Sequence, residues 1–306
     1  MGPLIWHSNG RYMRGFTLPE LLLAASLGLL ITWGMVDLNA NSLRVLRQIQ
    51  RDQEAHEGGR FALDRLRQEI RLAGFFGSGS LPSTELMERP SLCFNLIGEA
   101  REHVFAAPLD GRNNLAAGQS ICGGQKILEG TDVLLVRSAH SGIHLRLSAT
   151  QHYVVATPPV LQLATGSEIL NSAIITCCDS IRSYQQQIFY VTEDRVLRRK
   201  RFLRGAFRAS EPLADAVDNF QVRYGVVTDA LTQFMDFPQS VGQWSAVRFV
   251  DIYIHLEQAH SPSRGTDNWT SPLMEVPKRM SDSRGGSPLL VSTRVFVPNT
   301  GFRPLP

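Results

Sequence analysis

The organisation of this chain is decided by residues 13–36, MRGFTLPELLLAASLGLLITWGMV. From Phe16 to Val36 this stretch has 21 residues and a single charged side chain, Glu20. A helix of that length is about 31 Å long, which is enough to cross the hydrocarbon core of a bilayer. The sequence therefore predicts one membrane-spanning helix near the N-terminus.

The orientation of this helix follows from the charges that flank it. Arg11 and Arg14 precede the apolar run, and no acidic residue accompanies them. Because positively charged flanks stay on the cytoplasmic side, we expect the chain after Asp37 to be exported. An exported domain lies where cysteines can form disulfides.

Two common kinds of N-terminal apolar segment explain the stretch poorly. A cleaved secretory signal needs small residues behind its apolar core, but Ala40, the nearest candidate, has Leu38 two positions before it. A plain anchor explains the length and gives no reason for Pro19 and Glu20. The charge of Glu20 alone costs about 2.5–3.5 kcal/mol at membrane depth.

Cleavage between Gly15 and Phe16 would explain both unusual residues. A proline inside a helix clashes with the carbonyl four residues earlier, which for Pro19 belongs to Gly15. After cleavage Pro19 would lie in the first turn, and Glu20 would lie near the positive end of the helix dipole. The new amine of Phe16 could then pair with Glu20 of the same or a neighbouring copy.

The segment RGFTLPELLLA, residues 14–24, resembles the leader site of type IV prepilins and pseudopilins. In that family a prepilin peptidase cleaves after the glycine and N-methylates the following phenylalanine, and a glutamate lies five residues into the mature chain. The resemblance implies cleavage and methylation at Gly15 and Phe16 and a role for Glu20 in subunit assembly. Residues 1–15 would be the leader and residues 16–36 the transmembrane part.

Beyond Asp37 the helical period continues with a polar face, and Leu63, Leu66 and Ile70 share one side. We predict a single helix to about Leu72, with residues 37–76 forming its amphipathic continuation and a turn. Gly58 and Gly59 are adjacent in this helix. Each glycine costs about 1 kcal/mol of helix stability relative to alanine, so the pair predicts a bend or hinge.

Residues 77–306 are expected to form a β-rich globular domain. Short β-prone runs alternate with turns, among them residues 132–139, 142–149, 152–157, 172–176, 187–192, 195–202, 219–227, 247–256 and 289–297. The predicted fold class is α+β, a long N-terminal transmembrane and amphipathic helix packed on an antiparallel β-sheet domain. Alternation within VRFVDIYIHL, residues 247–256, places Arg248, Val250, Ile252, Ile254 and Leu256 on the face toward the core.

The order of several segments, from GRFALDRLRQEIRLAGFFG to VSTRVFVPN, is similar to that of PilW-like minor pilins, which are related to J-type pseudopilins. This resemblance implies a pilin-like subunit that takes part in type IV pilus assembly. Its partners would be prepilin peptidase, other minor pilins in a priming or tip complex, the major pilin and a tip adhesin. It would lie in the inner membrane as a single-pass protein with a periplasmic domain, and later in the fibre or at its tip.

Two other functions stay open as alternatives. A J-type pseudopilin of a type II secretion system would have the same chemistry and different partners. A single-pass, membrane-anchored periplasmic binding protein would not be processed at all. An exported hydrolase has no support, because no nucleophile motif is present, and we expect neither a catalytic residue nor a cofactor.

A metal site is not expected. His140 and His144 have a spacing of four, which brings ligands together only on a helix, and their surroundings read as strand and turn. The carboxylates of Asp215, Asp218 and Asp251 are interpreted as ordinary surface groups.

The cysteines at positions 93, 122, 177 and 178 allow three disulfide connectivities. A bond within the adjacent pair, Cys177 and Cys178, is strained, and pairing Cys93 with Cys122 leaves that pair no other partner. We favour Cys93 with Cys122, which would close a surface loop.

One segment concentrates positive charge, with Arg195, Arg198, Arg199, Lys200 and Arg201 in RVLRRKRF. It is interpreted as a hairpin whose charges are solvated or pair with a neighbouring subunit. The alternative is a basic patch for an acidic partner such as DNA or anionic lipid. The formal net charge of only +3 disfavours nucleic acid as an obligatory partner.

Overall fold

The structure is a computed structural model, and it describes residues 17–77, 91–93, 103–140, 146–157, 160–171, 180–228, 231–257 and 289–300. The chain divides into two compact units, Met1–Gln50 and Arg51–Pro306. The helix α1, Leu18–Leu72, runs through the end of the first unit and into the second without a break. The predicted helix end at Leu72 is therefore confirmed.

Within the second unit, α1 buries one face and then stops at a glycine. Leu63, Leu66 and Ile70 are buried at the spacing of three and four that places side chains on one side of a helix. Gly74 follows with φ +75°, a conformation that glycine adopts without a steric penalty. Its N–H donates to the carbonyl of Arg137, so the end of the helix is fixed to the sheet behind it.

Twelve strands and two short helices follow α1 in the described part of the chain. Their bounds are β1 Leu109–Arg112, β2 Val133–Ala139, β3 His152–Thr157, β4 Val160–Thr165, α2 Gly166–Asn171, β5 Ser180–Val191, β6 Leu197–Leu203, β7 Ala206–Phe207, β8 Glu211–Ala214, β9 Val217–Thr228, β10 Leu231–Met235, α3 Val241–Ser245, β11 Val247–Leu256 and β12 Leu289–Phe296. The strands form two sheets in which every pairing is antiparallel. The predicted α+β class, with a long N-terminal helix and antiparallel sheets, is confirmed.

The first sheet has eight strands in the order β1-β2-β5-β3-β4, with β6 beside β5 and both β7 and β8 beside β6. The second sheet has four strands in the order β10-β9-β11-β12. One cluster of buried side chains joins the helix to both sheets, and it includes Leu66 of α1, Phe189 of β5 and Ile252 of β11. A carboxylate also links the sheets, because Asp132 accepts hydrogen bonds from the N–H groups of Asn114 and Val222.

The predicted core face of β11 is correct for four of its five residues. Val250, Ile252, Ile254 and Leu256 are buried in the central cluster. Arg248 is half-buried instead, because an irregularity in the pairing with β9 between Val247 and Phe249 shifts the alternation. Val247 takes the core position in place of Arg248.

The predicted strand at residues 142–149 is wrong in the part that the structure describes, residues 146–149. The N–H of Ser148 donates to the hydroxyl of Tyr153, and its carbonyl accepts from Gln151 N–H. These bonds close a turn before β3 and leave the segment out of the ladder. The predicted strand at residues 172–176 lies outside the described residues.

The two adjacent glycines of α1, Gly58 and Gly59, differ in what surrounds them. A Cβ atom at residue 59 would lie 2.5 Å from Leu256 Cδ1 and 3.3 Å from Val291 Cγ2, whereas one at Gly58 would meet nothing closer than Ala214 Cβ at 3.8 Å. Gly59 is therefore explained by the close approach of α1 to the second sheet, and the helix continues through both residues.

This difference predicts opposite effects for neighbouring substitutions. We expect Gly59→Leu to destabilise the protein by about 1–3 kcal/mol, because the side chain has no room beneath β11 and β12. Gly58→Ala should stabilise it by up to about 1 kcal/mol through helix propensity. Denaturant unfolding of both variants would measure the two changes. Equal effects would contradict the close-packing explanation.

Candidate functional site

The first unit presents an apolar helix surface that nothing in the described chain covers. Its large side chains between Leu18 and Leu38 are each at least 58% exposed. An 18-residue window of α1 has a mean hydropathy of 1.9, and none of it is buried. By length and composition this segment could cross a membrane, which is compatible with a single-pass anchor.

Glu20 closes the N-terminal end of this helix. Its Oε2 accepts from the backbone N–H of Thr17 at 3.4 Å and from the Thr17 hydroxyl at 3.3 Å. Thr17 stands directly before α1, so a glutamate three residues later satisfies a donor that the helix leaves unpaired. Glu20 therefore has a local role as a helix cap, which sequence reasoning missed although the T-x-x-E pattern at residues 17–20 indicates it.

Pro19 is the second residue of α1. A proline there lies in the first turn, where its missing N–H removes no intrahelical bond. The uncleaved chain accommodates Pro19 by beginning the helix at Leu18, so relief of a clash with Gly15 is not needed to explain it. Gly15 and Phe16 themselves lie outside the described residues, and cleavage and methylation there stay predictions.

The favoured cysteine pair has disulfide geometry. The sulfur atoms of Cys93 and Cys122 are 2.09 Å apart, and their Cα atoms are 5.2 Å apart. The ammonium of Lys200 donates to the carbonyl of Cys122 at 2.8 Å, and burial lowers the pKa of this lysine. Cys177 and Cys178 lie outside the described residues.

The basic segment of the sequence is not an open patch. Arg199 and Lys200 are buried, and Arg195 binds both Asp218 and Glu257 at 2.7 Å. Further ion pairs join Arg198 to Asp194, Arg199 to Glu211 and Arg201 to Glu211. Four of the five cations thus pair with carboxylates of their own chain, and Lys200 donates to the carbonyl of Cys122, so the segment does not form an open row of unpaired positive charges.

The other singled-out residues are dispersed. His140 is exposed, and its backbone N–H donates to the carbonyl of Ser183. His144 lies outside the described residues. Asp215 is exposed as expected, but Asp251 is buried and accepts two bonds from the Arg294 guanidinium at 2.6 and 2.8 Å. Within the described ranges, no three His, Cys, Asp or Glu side chains converge to hold a metal.

Sequence reasoning also missed a cluster of charged and amide side chains between α1 and the first sheet. It consists of Arg65, Glu69, Gln187, Arg199, Arg201 and Glu211. In the sequence, Glu69 could have indicated this cluster, because it follows Ala62 and Leu66 on the helix face that packs inward. A carboxylate at such a position requires hydrogen-bonding partners inside the protein. Arg199 donates to Glu211 and thereby lowers the pKa of that carboxyl group.

One buried histidine predicts a pH dependence of folding. Burial lowers the pKa of His255, whereas the unfolded chain retains the ordinary value near 6.5. The unfolded state therefore binds a proton at a higher pH than the folded state does. As the pH falls below about 6.5, this proton binding favours unfolding, and the free energy of unfolding decreases.

We expect His255→Gln to flatten the dependence of the unfolding free energy on pH between about 7.5 and 5.5. Urea unfolding across that range would measure it. His140→Gln, at an exposed position, is the matched control for replacing a histidine by glutamine. A curve for His255→Gln that parallels the unsubstituted protein would refute the assignment.

Comparison with known proteins does not assign the chain to a family. No protein-family model matches the chain, and no curated protein sequence matches it. Among solved structures it is similar to a type IV-like pilin from Thermus thermophilus, with 12% identity over 80% of this chain and 96% of that one. The TM-score is 0.36, which is too low to assign a fold. The fold class therefore rests on the chain's own helix and sheets.

Proposed function

We propose that this chain is a pilin-like assembly subunit, specifically a PilW-like minor pilin of a type IV pilus. The observation that carries the proposal is the exposed apolar helix whose one charged side chain before Asp37 is Glu20, the fifth residue from the cleavage site proposed at Gly15 and Phe16. A long apolar surface of this kind must be covered by lipid or by other helices.

In the proposed mechanism, the apolar surface of the helix is covered first by lipid and later by other subunits. In the precursor, the apolar surface is held in the inner membrane, with the β-rich domain in the periplasm. After prepilin peptidase cleaves the leader, the same surface packs against helices of neighbouring subunits in the fibre. The helix thus moves from one apolar environment to another, and little hydrophobic stabilisation is lost in the transfer.

Glu20 changes partners in this scheme. Before cleavage it caps the helix through Thr17. Cleavage creates an amine at Phe16, and the carboxylate of Glu20 can pair with that amine on an adjacent subunit. An unpaired charge is costly at membrane depth, so such a pair favours packed helices over isolated ones. The β-rich domain would supply the choice of partners, which we propose are other minor pilins in a priming or tip complex.

The test is the mature N-terminus of the protein from its native membrane, determined by mass and sequence with and without prepilin peptidase. We expect a chain that begins at N-methylated Phe16 only when the peptidase is present. An intact leader in both strains would refute the proposal and leave the anchored binding protein. If processing occurs, copurification with pilus or with secretion-system components would separate a minor pilin from a J-type pseudopilin.

A further inference from the structure

A cleft lies beside α1 at the end of the polar cluster between the helix and the first sheet. It is lined by Arg65 and Glu69 of α1, by residues 185–187 of β5 and by residues 201–203 of β6. Its volume is about 60 Å³. That is room for a small polar group and not for a large ligand.

The sheet register explains why polar groups meet there. Gln187 lies opposite Arg201 in the β5–β6 pairing, and Phe189 lies opposite Arg199. Residues 187 and 189 are two apart, so both face α1, and Phe189 belongs to the central core while Gln187 lies just beyond it. The cleft is therefore where the helix-facing side of the sheet changes from apolar to polar.

The carboxylates of the cluster already have partners. Glu69 accepts from Gln187 Nε2 at 2.5 Å and binds Arg65 Nη2 at 2.7 Å. Glu211 binds Arg199 at 2.5 Å and also binds Arg201. Both acids are thus held by cations or amide donors of this chain.

The donors of the cluster are not all satisfied. The Nε–H groups of Arg65, Arg199 and Arg201 are buried and have no acceptor in the described part of the chain, and Gln187 Oε1 there has no donor. Arg65 and Arg201 line the cleft, so their unpaired Nε–H groups indicate a missing acceptor beside it, whereas Gln187 Oε1 needs a donor that an anion does not supply.

The charge balance indicates the sign of that ligand. Three guanidinium groups face two carboxylates, which leaves one positive charge uncompensated. A cation would be repelled by Arg65 and Arg201, whose side chains are 35% and 39% exposed and border the cleft. A doubly charged anion would exceed this balance.

We propose that this cleft binds a single carboxylate group. Its two oxygens accept one charge-assisted hydrogen bond each, from the planar donor forks of Arg65 and Arg201, whose Nη2 groups already bind Glu69 and Glu211. The group belongs either to a small free carboxylate or to an acidic side chain of another subunit. This inference goes beyond the proposed function, and its test does not depend on leader cleavage.

The experiment uses the full chain in detergent at neutral pH, with acetate as the probe and chloride replacing it at equal ionic strength. We expect a saturable rise in Tm and saturable acetate binding by calorimetry. In the double variant Arg65→Gln, Arg201→Gln the affinity should fall at least about tenfold, as for loss of a charge-assisted bidentate contact.

Two further variants keep the test decisive if the double variant is less stable. Arg201→Lys retains the charge without the fork and should also bind acetate more weakly. Arg208→Gln removes an exposed arginine outside the cleft and should bind as the unsubstituted protein does. Absence of saturable binding, or equal binding by the double variant, overturns the proposal.

Sedimentation in the same titration identifies the source of the carboxylate. If an acidic side chain of a second copy occupies the cleft, acetate displaces it and the associated protein dissociates. If the occupant is a free carboxylate, acetate binds and the association state does not change.

Discussion

Glu20→Leu is expected to leave leader cleavage intact and to reduce incorporation into filaments by about tenfold or more. The substitution removes a charge that costs about 2.5–3.5 kcal/mol at membrane depth, so the precursor should insert at least as well as before. Under the proposed function it also removes a polar contact between helices, worth about 1–2 kcal/mol in a membrane-like environment. The ratio of incorporated to membrane-bound protein, measured after shearing filaments from cells, would show the loss.

The local cap supplies the matched control for this prediction. Thr17→Ala removes the hydroxyl that donates to Glu20 but keeps the carboxylate and the backbone N–H. If the effect of Glu20 were only to cap α1, Thr17→Ala would show part of the same impairment, because it removes one of the two capping bonds, whose loss costs roughly 1 kcal/mol or less. We expect Thr17→Ala to be incorporated nearly normally. Similar losses in both variants would contradict an assembly role for Glu20.

Arg137→Met is expected to destabilise the fold by about 3–5 kcal/mol. Arg137 and Asp110 are both fully buried, in β2 and β1, and their charged groups approach to 3.6 Å. Arg137 also donates to the carbonyl of Ala107 at 2.6 Å. Methionine preserves most of the volume but leaves the carboxylate of Asp110 without its cation. Tyr184 lies in the same region, where burial raises its pKa, so the phenol stays neutral and adds no second negative charge there.

A double-mutant cycle with Asp110→Asn distinguishes loss of the pair from loss of packing. With both charges removed, much of the stability should return, because an uncompensated buried charge costs more than an absent pair. Equilibrium denaturation of the two single variants and the double variant gives the coupling energy. Strictly additive losses would mean that Arg137 acts through packing alone.

The sequence was sufficient for features that depend on periodicity. The end of α1 at Leu72 and the buried face of β11 both follow from the spacing of apolar residues, and both are present. The sequence could not show that Val247, and not Arg248, occupies the core position, because this depends on the pairing irregularity with β9. Likewise, Gly59 is a helix-weakening residue in the sequence, and only the position of Leu256 above it shows why glycine is needed.

Electrostatics was the harder part, because its partners are distant in sequence. The cations near residue 200 form an apparent surface patch when only their neighbours in the chain are considered. Asp194 and Glu211 are near these cations in the chain, but the other compensating carboxylates are distant, up to the 130 positions between Glu69 and Arg199. For Glu20, by contrast, the T-x-x-E spacing was local, and it was overlooked beside the more specific leader pattern.

The carboxylate of Asp132 has a consequence for how the second unit unfolds. It accepts one N–H from the loop after β1 and another from Val222 of β9, so a single side chain serves both sheets. Separating the sheets would take the Val222 donor away from a buried anion, and such an opening is penalised for that reason. The two sheets should therefore behave as one cooperative unit. In native-state hydrogen exchange, the amides of β2 and β9 should share a common opening free energy instead of forming two classes.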